Sequence, residues 1–307
     1  MSPAENARGP IRLGIAPIAW SNDDLPELGG ETPLEVCLQE SRLAGFSGVE
    51  KGGKFHDDPE ILGPLLDRHG LTLCAGWFSG RLRHGSIEAE KRRIASQLHL
   101  FQALGTPIMV YAETTGTVQG RIEVPVADRP VMADAEFGPY GEKLTRFADW
   151  LEAEGCSMSF HHHMGTVIET EREIDLLMAS TGRSVGLLLD SGHLTFAGGD
   201  LPATARRHGT RINHVHCKDI RADVLERLKT ENWSFLQGVL EGVFTVPGDG
   251  MIDFGRFAGL LGEIGYQGWV VVEAEQDPAK APPLKMARIG HAALTSAFTG
   301  AGFEIRP

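Results

Sequence analysis

The sequence predicts a (β/α)₈ barrel that occupies the whole 307-residue chain. Short β-prone runs alternate with longer amphipathic runs from one end to the other, and this alternation specifies a parallel sheet. Eight such units over about 250 residues suit a closed barrel better than an open, doubly wound sheet. No GxGxxG motif follows the first β-prone run, so a dinucleotide-binding fold has no motif behind it. We therefore expect one domain over 1–307, with a short N-terminal tail at about 1–10.

The predicted strands are short runs in which apolar residues cluster, and the helices have apolar residues at helical spacing, often with a glycine stop. The strands are 11–20, 47–52, 71–78, 106–114, 157–163, 184–193, 211–220 and 269–276. The helices are 32–45, 58–70, 86–105, 140–155, 170–181, 200–209, a helical stretch that follows the strand 211–220 and extends to about 242, and 253–265. We expect the long connections at 114–138 and 238–252 to be rim or lid segments.

Composition and charge argue against several classes of function. The formal net charge of −12 disfavours binding to a phosphate backbone. The first residues contain no apolar signal-peptide core, and no apolar run approaches the ~20 residues that span a bilayer. The four cysteines are scattered and form no CxxC pair, which fits a reducing compartment. We expect a cytoplasmic protein that binds neither nucleic acid nor membrane. The sequence does not determine the oligomeric state, but a homo-oligomer is one option because acidic barrels of this kind often self-associate.

Ionisable residues concentrate at the C-terminal ends of the predicted strands. The segments are VEK, YAE, HHH, DSGH, HVHCKD and VEAEQ. In a barrel these ends converge on one mouth, where the active site is built. A single acidic residue at a strand end is usually solvated or caps the next helix, but six polar strand ends in one chain are harder to explain that way. The sequence therefore predicts a functional site at this mouth.

Two carboxylates and a histidine pair in these segments are candidate metal ligands. Asp190 follows three leucines and Glu273 follows three valines, positions that are costly for a lone carboxylate. Glu275 lies on the same face as Glu273, and alternation places His214 and His216 on one face of their strand. Asp190 could instead cap the following turn, and a lone histidine there is more often a hydrogen-bonded core residue.

The run of three histidines could complete the metal site. Alternation sends His161 and His163 to one side and His162 to the other. A chance histidine run in a loop is the plain alternative, because ionisable clusters are only probabilistic markers of a site. One of these histidines would join Asp190, His216 and Glu273. The set then offers mixed nitrogen and oxygen ligands that suit Mn²⁺, Co²⁺ or Zn²⁺.

The other polar strand ends offer candidates for substrate contacts and proton transfer. Glu50 and Lys54 in VEKGGKF could hold a polar substrate, although the lysine could equally be solvated. Glu113 in VYAET could act as a base or contact the substrate.

His193 follows Asp190 by three residues, so the next turn could bring it beside the same ion. Lys218 could polarise a substrate oxygen or form an ion pair with Asp219. The PGDG segment at 247–250 is a turn motif that could also serve in a lid.

Long segments of the chain resemble the inosose dehydratase family, also called 2-keto-myo-inositol dehydratases. The segments are HHHMGTVIETEREID, LLLDSGHLTFAGGD, HVHCKDIR, GVFTVPGDGMIDF and WVVVEAEQDPAKAPP. The resemblance begins at LGIAPIAWSNDDLPELGG and continues almost to the C-terminus. The wider relatives are the xylose-isomerase-like barrels, which include sugar isomerases, epimerases and endonuclease IV. The resemblance implies a TIM barrel with a divalent metal held by Glu, Asp, His and Glu from successive strands.

Three of those ligands match this sequence directly and one departs from the pattern. The Asp, His and final Glu fall on Asp190, His216 and Glu273. The first Glu of the superfamily aligns best with His161 in HHHMG. His161 is therefore the expected metal ligand and His163 the expected substrate contact, or the reverse. The Asp-x-x-His pair of many relatives matches Asp190 and His193, where the histidine contacts substrate or a second ion.

The resemblance implies a metal-dependent hydro-lyase that converts 2-keto-myo-inositol (scyllo-inosose) to a trihydroxycyclohexane-1,2-dione in inositol catabolism. Mn²⁺ or Co²⁺ is the implied ion, with Zn²⁺ as a further option. Glu113, His193 and Lys218 are the candidates for the base and the acid that this elimination needs. A metal-dependent keto-sugar isomerase or epimerase is the first alternative, and it expects a glutamate where His161 stands. A non-catalytic inositol-binding barrel is the second, and it expects an incomplete ligand set.

Overall fold

The computed structural model describes residues 8–307, in which eight parallel strands form a closed barrel. The strands are β1 (Ile11–Ile15), β2 (Gly48–Lys51), β3 (Thr72–Gly80), β4 (Ile108–Glu113), β5 (Ser157–His161), β6 (Val185–Asp190), β7 (Ile212–Cys217) and β8 (Gly268–Val272). Neighbours pair in sequence order, and β1 closes the ring by pairing with β8, with Ile11 opposite Gly268. The (β/α)₈ prediction is confirmed. The predicted tail at about 1–10 lies largely outside the described residues.

Helices in the described part of the chain surround the barrel. They are α1 (Leu34–Ala44), α2 (Pro59–His69), α3 (Ile87–Leu104), α4 (Asp134–Ala153), α5 (Glu171–Ser180), α6 (Ser191–Phe196), α7 (Leu201–His208), α8 (Ala222–Glu231), α9 (Phe235–Glu241), α10 (Phe254–Glu263) and α11 (Pro283–Gly300). The sequence analysis did not predict α11, which packs between α10 and α1 and closes the outer ring. None of these helices has the length and apolar character that crossing a membrane requires.

The helix boundaries follow the expected capping chemistry. Ser86 and Thr170 precede α3 and α5, and their side chains accept backbone N–H bonds from the first turn. Gly45 and Gly105 end α1 and α3 with φ of +111° and +67°, which glycine adopts without a steric cost. These signals explain why the predicted bounds of α1, α3 and α5 lie within two residues of those observed.

Several predicted boundaries were wrong by three or more residues, and local chemistry explains most of them. The first strand ends at Ile15 because a 3₁₀ turn, Pro17–Ala19, follows it. The sixth ends at Asp190 because that carboxylate caps α6. The seventh ends at Cys217, because Asp219–Ile220 pairs in a separate sheet with Phe244–Thr245. The eighth ends at Val272, so the acidic segment after it is irregular.

Two helix predictions also differ from the structure. The helix expected at 140–155 begins at Asp134 and continues through Pro139. The helical stretch expected to about 242 is divided into α8 and α9.

Alternation along the strands separates the barrel interior from the core under the helices. The outward-facing side chains join the main apolar core, among them Leu13, Tyr111, Phe160, Leu189 and Val215. Smaller apolar clusters fill the interior, among them Val110, Leu188 and Val271. Counting in steps of two from these residues shows which polar side chains at the strand ends point into the barrel mouth.

Candidate active site

A cavity opens at the C-terminal ends of the strands, as the sequence predicted for a barrel mouth. Polar groups from several strands and two rim loops line it. They include Asp24, Gln119, His163, His216, Glu273 and Glu275. Trp77 forms an apolar wall, and its ring lies 5.7 Å and 5.5 Å from the rings of His161 and His163.

The four expected metal ligands converge beside this cavity. His161 Nε2 lies 3.7 Å from Asp190 Oδ2, and His216 Nδ1 lies 3.6 Å from the same oxygen. His216 Nδ1 is also 3.0 Å from Glu273 Oε2. His161 Nε2 and Asp190 Oδ2 are buried and have no hydrogen-bond partner, which is costly for polar atoms unless a ligand engages them. Nitrogen and carboxylate donors at this spacing fit a divalent metal ion.

Backbone contacts aim two of these ligands at the common point. Asp190 Oδ1 accepts the His193 N–H at 2.7 Å as the cap of α6, which leaves Oδ2 for the interior. His161 Nδ1 lies 2.6 Å from the His162 carbonyl oxygen. Because a carbonyl only accepts, Nδ1 carries the proton and Nε2 presents its lone pair. One group of donors, whose ligand atoms all lie within 4.8 Å of one another, contains His161, Asp190, His193 and Glu273, whereas His216 belongs to a separate group with Glu50 and His214.

Lys218 is buried at the centre of a second group of side chains. Its Nζ lies 2.7 Å from His193 Nε2, 2.7 Å from the Glu275 carboxylate and 3.0 Å from Glu273 Oε2. Burial alone would lower the pKa of Lys218, but the surrounding carboxylates raise it, so the ammonium form persists. His163, His193 and Glu275 have the spacing of a metal site. The ammonium already donates within that group, so we read it as a proton-handling group instead.

Glu275 is the carboxylate of this second group, and its pKa is raised to about 7. Burial is the main cause, and the Lys218 ammonium opposes it. Glu275 lines the cavity and follows Glu273 by two residues. The sequence placed the two glutamates on one face, and the structure brings both to the Lys218 ammonium.

Asp219 does not pair with Lys218, so that expectation was wrong. Its Oδ1 accepts the Ile252 N–H at 2.9 Å, and its Oδ2 accepts the N–H groups of Gly248 and Gly250 at 3.1 and 3.0 Å. The PGDG segment is therefore a turn anchored by a buried carboxylate. Lys218 contacts His193, Glu273 and Glu275 instead of Asp219.

Glu113 lies outside the cavity, in contrast to its expected role as a base or substrate contact. It shares a strand face with Tyr111, which belongs to the core under the helices. Its carboxylate accepts the backbone N–H groups of Arg83 at 3.0 Å and Thr115 at 3.2 Å. Burial raises its pKa. Period-two alternation explains the error, because a strand end carries side chains on both faces.

Lys54 also lies away from the cavity. Its Nζ donates to the carbonyl oxygens of Gly29, Gly30 and Thr32 at 3.1, 2.6 and 2.5 Å. These bonds brace the loop after β1, so the structure does not bring Lys54 to the position expected of a substrate contact.

Glu50 and His163 do reach the cavity. His163 directs Nε2 toward the site, because its Nδ1 bonds the Met164 carbonyl oxygen at 2.8 Å. Glu50 is largely engaged by protein groups: Oε1 lies 2.6 Å from His214 Nε2 and 3.0 Å from His216 Nε2. Burial would raise the pKa of Glu50, but the two histidines lower it to about 2.

Sequence reasoning missed two rim residues, Asp24 and Gln119. They belong to the loops after β1 and β4, and Gln119 Nε2 donates to Asp24 Oδ1 at 3.0 Å across the mouth. Burial raises the pKa of Asp24. Nothing in either loop marks these residues, because their contact joins positions 95 residues apart.

Comparison with known proteins agrees with this architecture. The family described as "Xylose isomerase-like TIM barrel" matches residues 38–297. The chain belongs to this family. Within the xylose isomerase-like barrels, it is 48% identical to the rhizopine catabolism protein MocC of Rhizobium meliloti, over 96% of this chain and 91% of that one. It is 44% identical to the inosose dehydratase of Geobacillus thermodenitrificans, over 90% of this chain and 94% of that one.

These identities confirm the resemblance to the inosose dehydratase family. Among solved xylose isomerase-like barrels, the IolI protein with a bound zinc atom superposes with a TM-score of 0.64 at 16% identity, covering 95% of this chain and 98% of that one. At this identity the likeness establishes a common fold.

Proposed function

We propose that this protein is an inosose dehydratase, a hydro-lyase that removes water from 2-keto-myo-inositol to give a trihydroxycyclohexane-1,2-dione. The observation that carries the proposal is the convergence of two groups in one barrel mouth. One group offers metal donors with unpartnered, buried atoms, and the other offers a lysine, a histidine and a carboxylate that can move protons. Relatives named inosose dehydratase, 40–44% identical over 90% of the chain, support it.

The residues proposed to hold the metal are His161, Asp190, His216 and Glu273. Two imidazoles and two carboxylates suit Mn²⁺ or Co²⁺, with Zn²⁺ as a further option. A bound divalent ion would act as a Lewis acid toward the ketone oxygen of the substrate. The chain's contribution is to fix these donors in a buried site, where charge interactions are stronger than in water.

Proton transfer is proposed for the second group. A base takes the proton from the carbon next to the ketone, and the electron pair of that C–H bond becomes a double bond as the neighbouring C–O bond breaks. The leaving hydroxyl takes up a proton and departs as water. Glu275, which faces the cavity, replaces Glu113 as our candidate base. Lys218 and His193, bonded at 2.7 Å, are the candidates for the acid.

The cavity rim suits a ring that carries many hydroxyl groups. Asp24 can accept and Gln119 can both donate and accept hydrogen bonds there, while Trp77 offers an apolar surface to one face of the ring. His163 is the proposed substrate contact within the histidine run. We also propose that the chain is a single domain located in the cytoplasm, that it self-associates, and that it binds neither nucleic acid nor membrane.

A second candidate substrate comes from the relative named for rhizopine catabolism, which has the 48% identity. The same site would then act on a compound of that catabolic route. An isomerase or epimerase is less well supported, because His161 stands where the resemblance expects a glutamate in such enzymes.

The experiment that tests the proposal follows ultraviolet absorbance of the enolised dione when metal-stripped protein meets scyllo-inosose with and without Mn²⁺ or Co²⁺. We expect metal-dependent product. Glu275→Gln should lower kcat about 10²- to 10⁴-fold, the usual contribution of a general base. Glu113→Gln, the matched control outside the cavity, should keep the wild-type kcat. If an isomeric keto-sugar forms and no dione forms, the activity is that of an isomerase and the dehydratase proposal is wrong.

A further inference from the structure

A buried carboxylate lies between two histidines at one side of the metal-donor group. Glu50 is the third residue of β2, and His214 and His216 lie on β7, so the contact crosses the barrel interior. Glu50 Oε1 accepts from His214 Nε2 at 2.6 Å and from His216 Nε2 at 3.0 Å. All three residues are at most 5% exposed. A single carboxylate oxygen thus accepts hydrogen bonds from both imidazole rings.

This contact determines which nitrogen of His216 faces the metal-donor group. A carboxylate accepts, so Nε2 donates to Glu50 and Nδ1 is the nitrogen left for the donor group. Nδ1 lies 3.0 Å from Glu273 Oε2 and 3.6 Å from Asp190 Oδ2, so it can donate to a carboxylate there. A bound metal ion would take the place of that proton, because a histidine ligand must be neutral.

Glu50, His214 and His216 also have the spacing of a metal-binding group. The 2.6 Å contact between His214 Nε2 and Glu50 Oε1 is, however, the length of a strong charge-assisted hydrogen bond. His214 Nδ1 is buried without a partner, so His214 is bound to the site through Glu50 alone. The group therefore supports the neighbouring donors instead of forming a second metal site.

We propose that Glu50 is a positioning residue for the metal site: it fixes the tautomer and ring orientation of His216, and His214 holds Glu50 in place. This inference rests on the proposed metal site. It differs from the expectation that Glu50 contacts the substrate, because it assigns Oε1 to the two histidine N–H donors. Carboxylates that receive the second N–H of a metal-binding histidine act in this way in other metal sites.

The test measures the dissociation constants of Co²⁺ and Mn²⁺ for stripped protein by calorimetry, together with the visible spectrum of the Co²⁺ form. Glu50→Ala should weaken metal binding about 10- to 100-fold, as loss of an outer-shell partner does. Glu50→Gln keeps the shape and one acceptor oxygen but loses the charge, so it should weaken binding less. Both should shift the Co²⁺ absorption bands. Glu113→Gln, a buried glutamate outside the cavity, is the control and should change neither.

His214→Gln adds a second arm. It should also weaken metal binding, and its effect should not add to that of Glu50→Ala, because both act through the same carboxylate. Additive effects would contradict the proposed chain of contacts.

The outcomes separate this inference from the proposed function. If the wild-type protein binds neither ion, the proposed metal site is wrong. Wild-type binding that both Glu50 variants retain unchanged would overturn the positioning role and leave the metal site intact. A raised KM for inosose with an unchanged metal dissociation constant would make Glu50 a substrate contact. If Glu50→Ala does not fold, the isosteric Glu50→Gln decides the question alone.

Discussion

Replacing Asp190 with asparagine should abolish the stabilisation that a metal ion gives to this fold while leaving the apo protein nearly intact. Asp190 has two separable roles: Oδ1 caps α6 through the His193 N–H at 2.7 Å, and Oδ2 faces His161 and His216. Asparagine retains an oxygen for the cap and places an amide N–H₂ toward the histidines. Alanine removes both groups, and loss of the cap should cost about 1 kcal/mol in addition.

The size of the effect follows from binding linkage. Metal at 100 times its dissociation constant stabilises the native state by about 2.7 kcal/mol. At about 2–4 °C per kcal/mol, the melting temperature should rise by roughly 5–10 °C. Loss of a direct ligand should weaken binding at least ~100-fold, the upper end for an outer-shell partner. The same metal concentration then stabilises the native state of Asp190→Asn by only about 0.4 kcal/mol, which raises its melting temperature by roughly 1 °C.

The assay is thermal unfolding of stripped wild type, Asp190→Asn and Asp190→Ala, each with and without Co²⁺ or Mn²⁺. The two variants should differ by the cap contribution in the absence of metal and should both lack the metal-dependent rise. A wild-type-sized rise in Asp190→Asn would refute the reasoning, because it would show that Oδ2 is not a ligand.

Four further substitutions test neighbouring parts of the site. His161→Ala should weaken metal binding at least about 10-fold in a calorimetric titration, whereas His163→Ala should leave it unchanged and raise KM; the opposite result would exchange their roles. Gly192→Ala places a Cβ 2.5 Å from Lys218 Cγ, so the lysine must move. We expect a kcat on the order of 10- to 100-fold lower and, because overpacking a buried site costs about 1–3 kcal/mol, a lower urea midpoint as well; an unchanged kcat would contradict a role for Lys218. Asp219→Asn should lower the unfolding free energy in urea by about 1.5–3 kcal/mol, because an oxygen that accepts backbone N–H groups is replaced by an amide that donates. A loss below about 0.5 kcal/mol, the usual limit for surface substitutions, would refute the anchoring role.

The barrel and most of the metal-donor group could be predicted because both depend on local periodicity. Apolar runs with a period of two identify strands, and the same period assigns faces within a strand. It placed His161 and His163 together, and it paired His214 with His216. The same count, continued from Tyr111, would have placed Glu113 on the outer face. That error came from using the strand end alone and ignoring which side of the strand the residue occupies.

The rim contacts could not be predicted because their partners are distant in sequence and belong to irregular loops. Asp24 and Gln119 lie in the loops after β1 and β4, 95 residues apart, and only the closed barrel brings them into contact. Lys54 resembles a substrate-binding lysine in sequence, yet three nearby carbonyl groups engage it. Loop conformation decides such contacts, and alternation carries no information about it.

The histidine at position 161 changes the charge balance of the proposed site in a direction that suits dehydration. The ligand set implied by the wider superfamily contains three carboxylates and one imidazole, whereas His161, Asp190, His216 and Glu273 contain two of each. With a divalent ion, the set of four would be neutral instead of carrying one negative charge. A centre with less compensating negative charge attracts the developing enolate oxygen more strongly, and the Lys218 ammonium, 3.0 Å from Glu273 Oε2, adds to that attraction. His161→Glu should therefore bind the metal more tightly and yet eliminate water more slowly. Measuring metal affinity and kcat on this single variant would separate retention of the ion from its power as a Lewis acid.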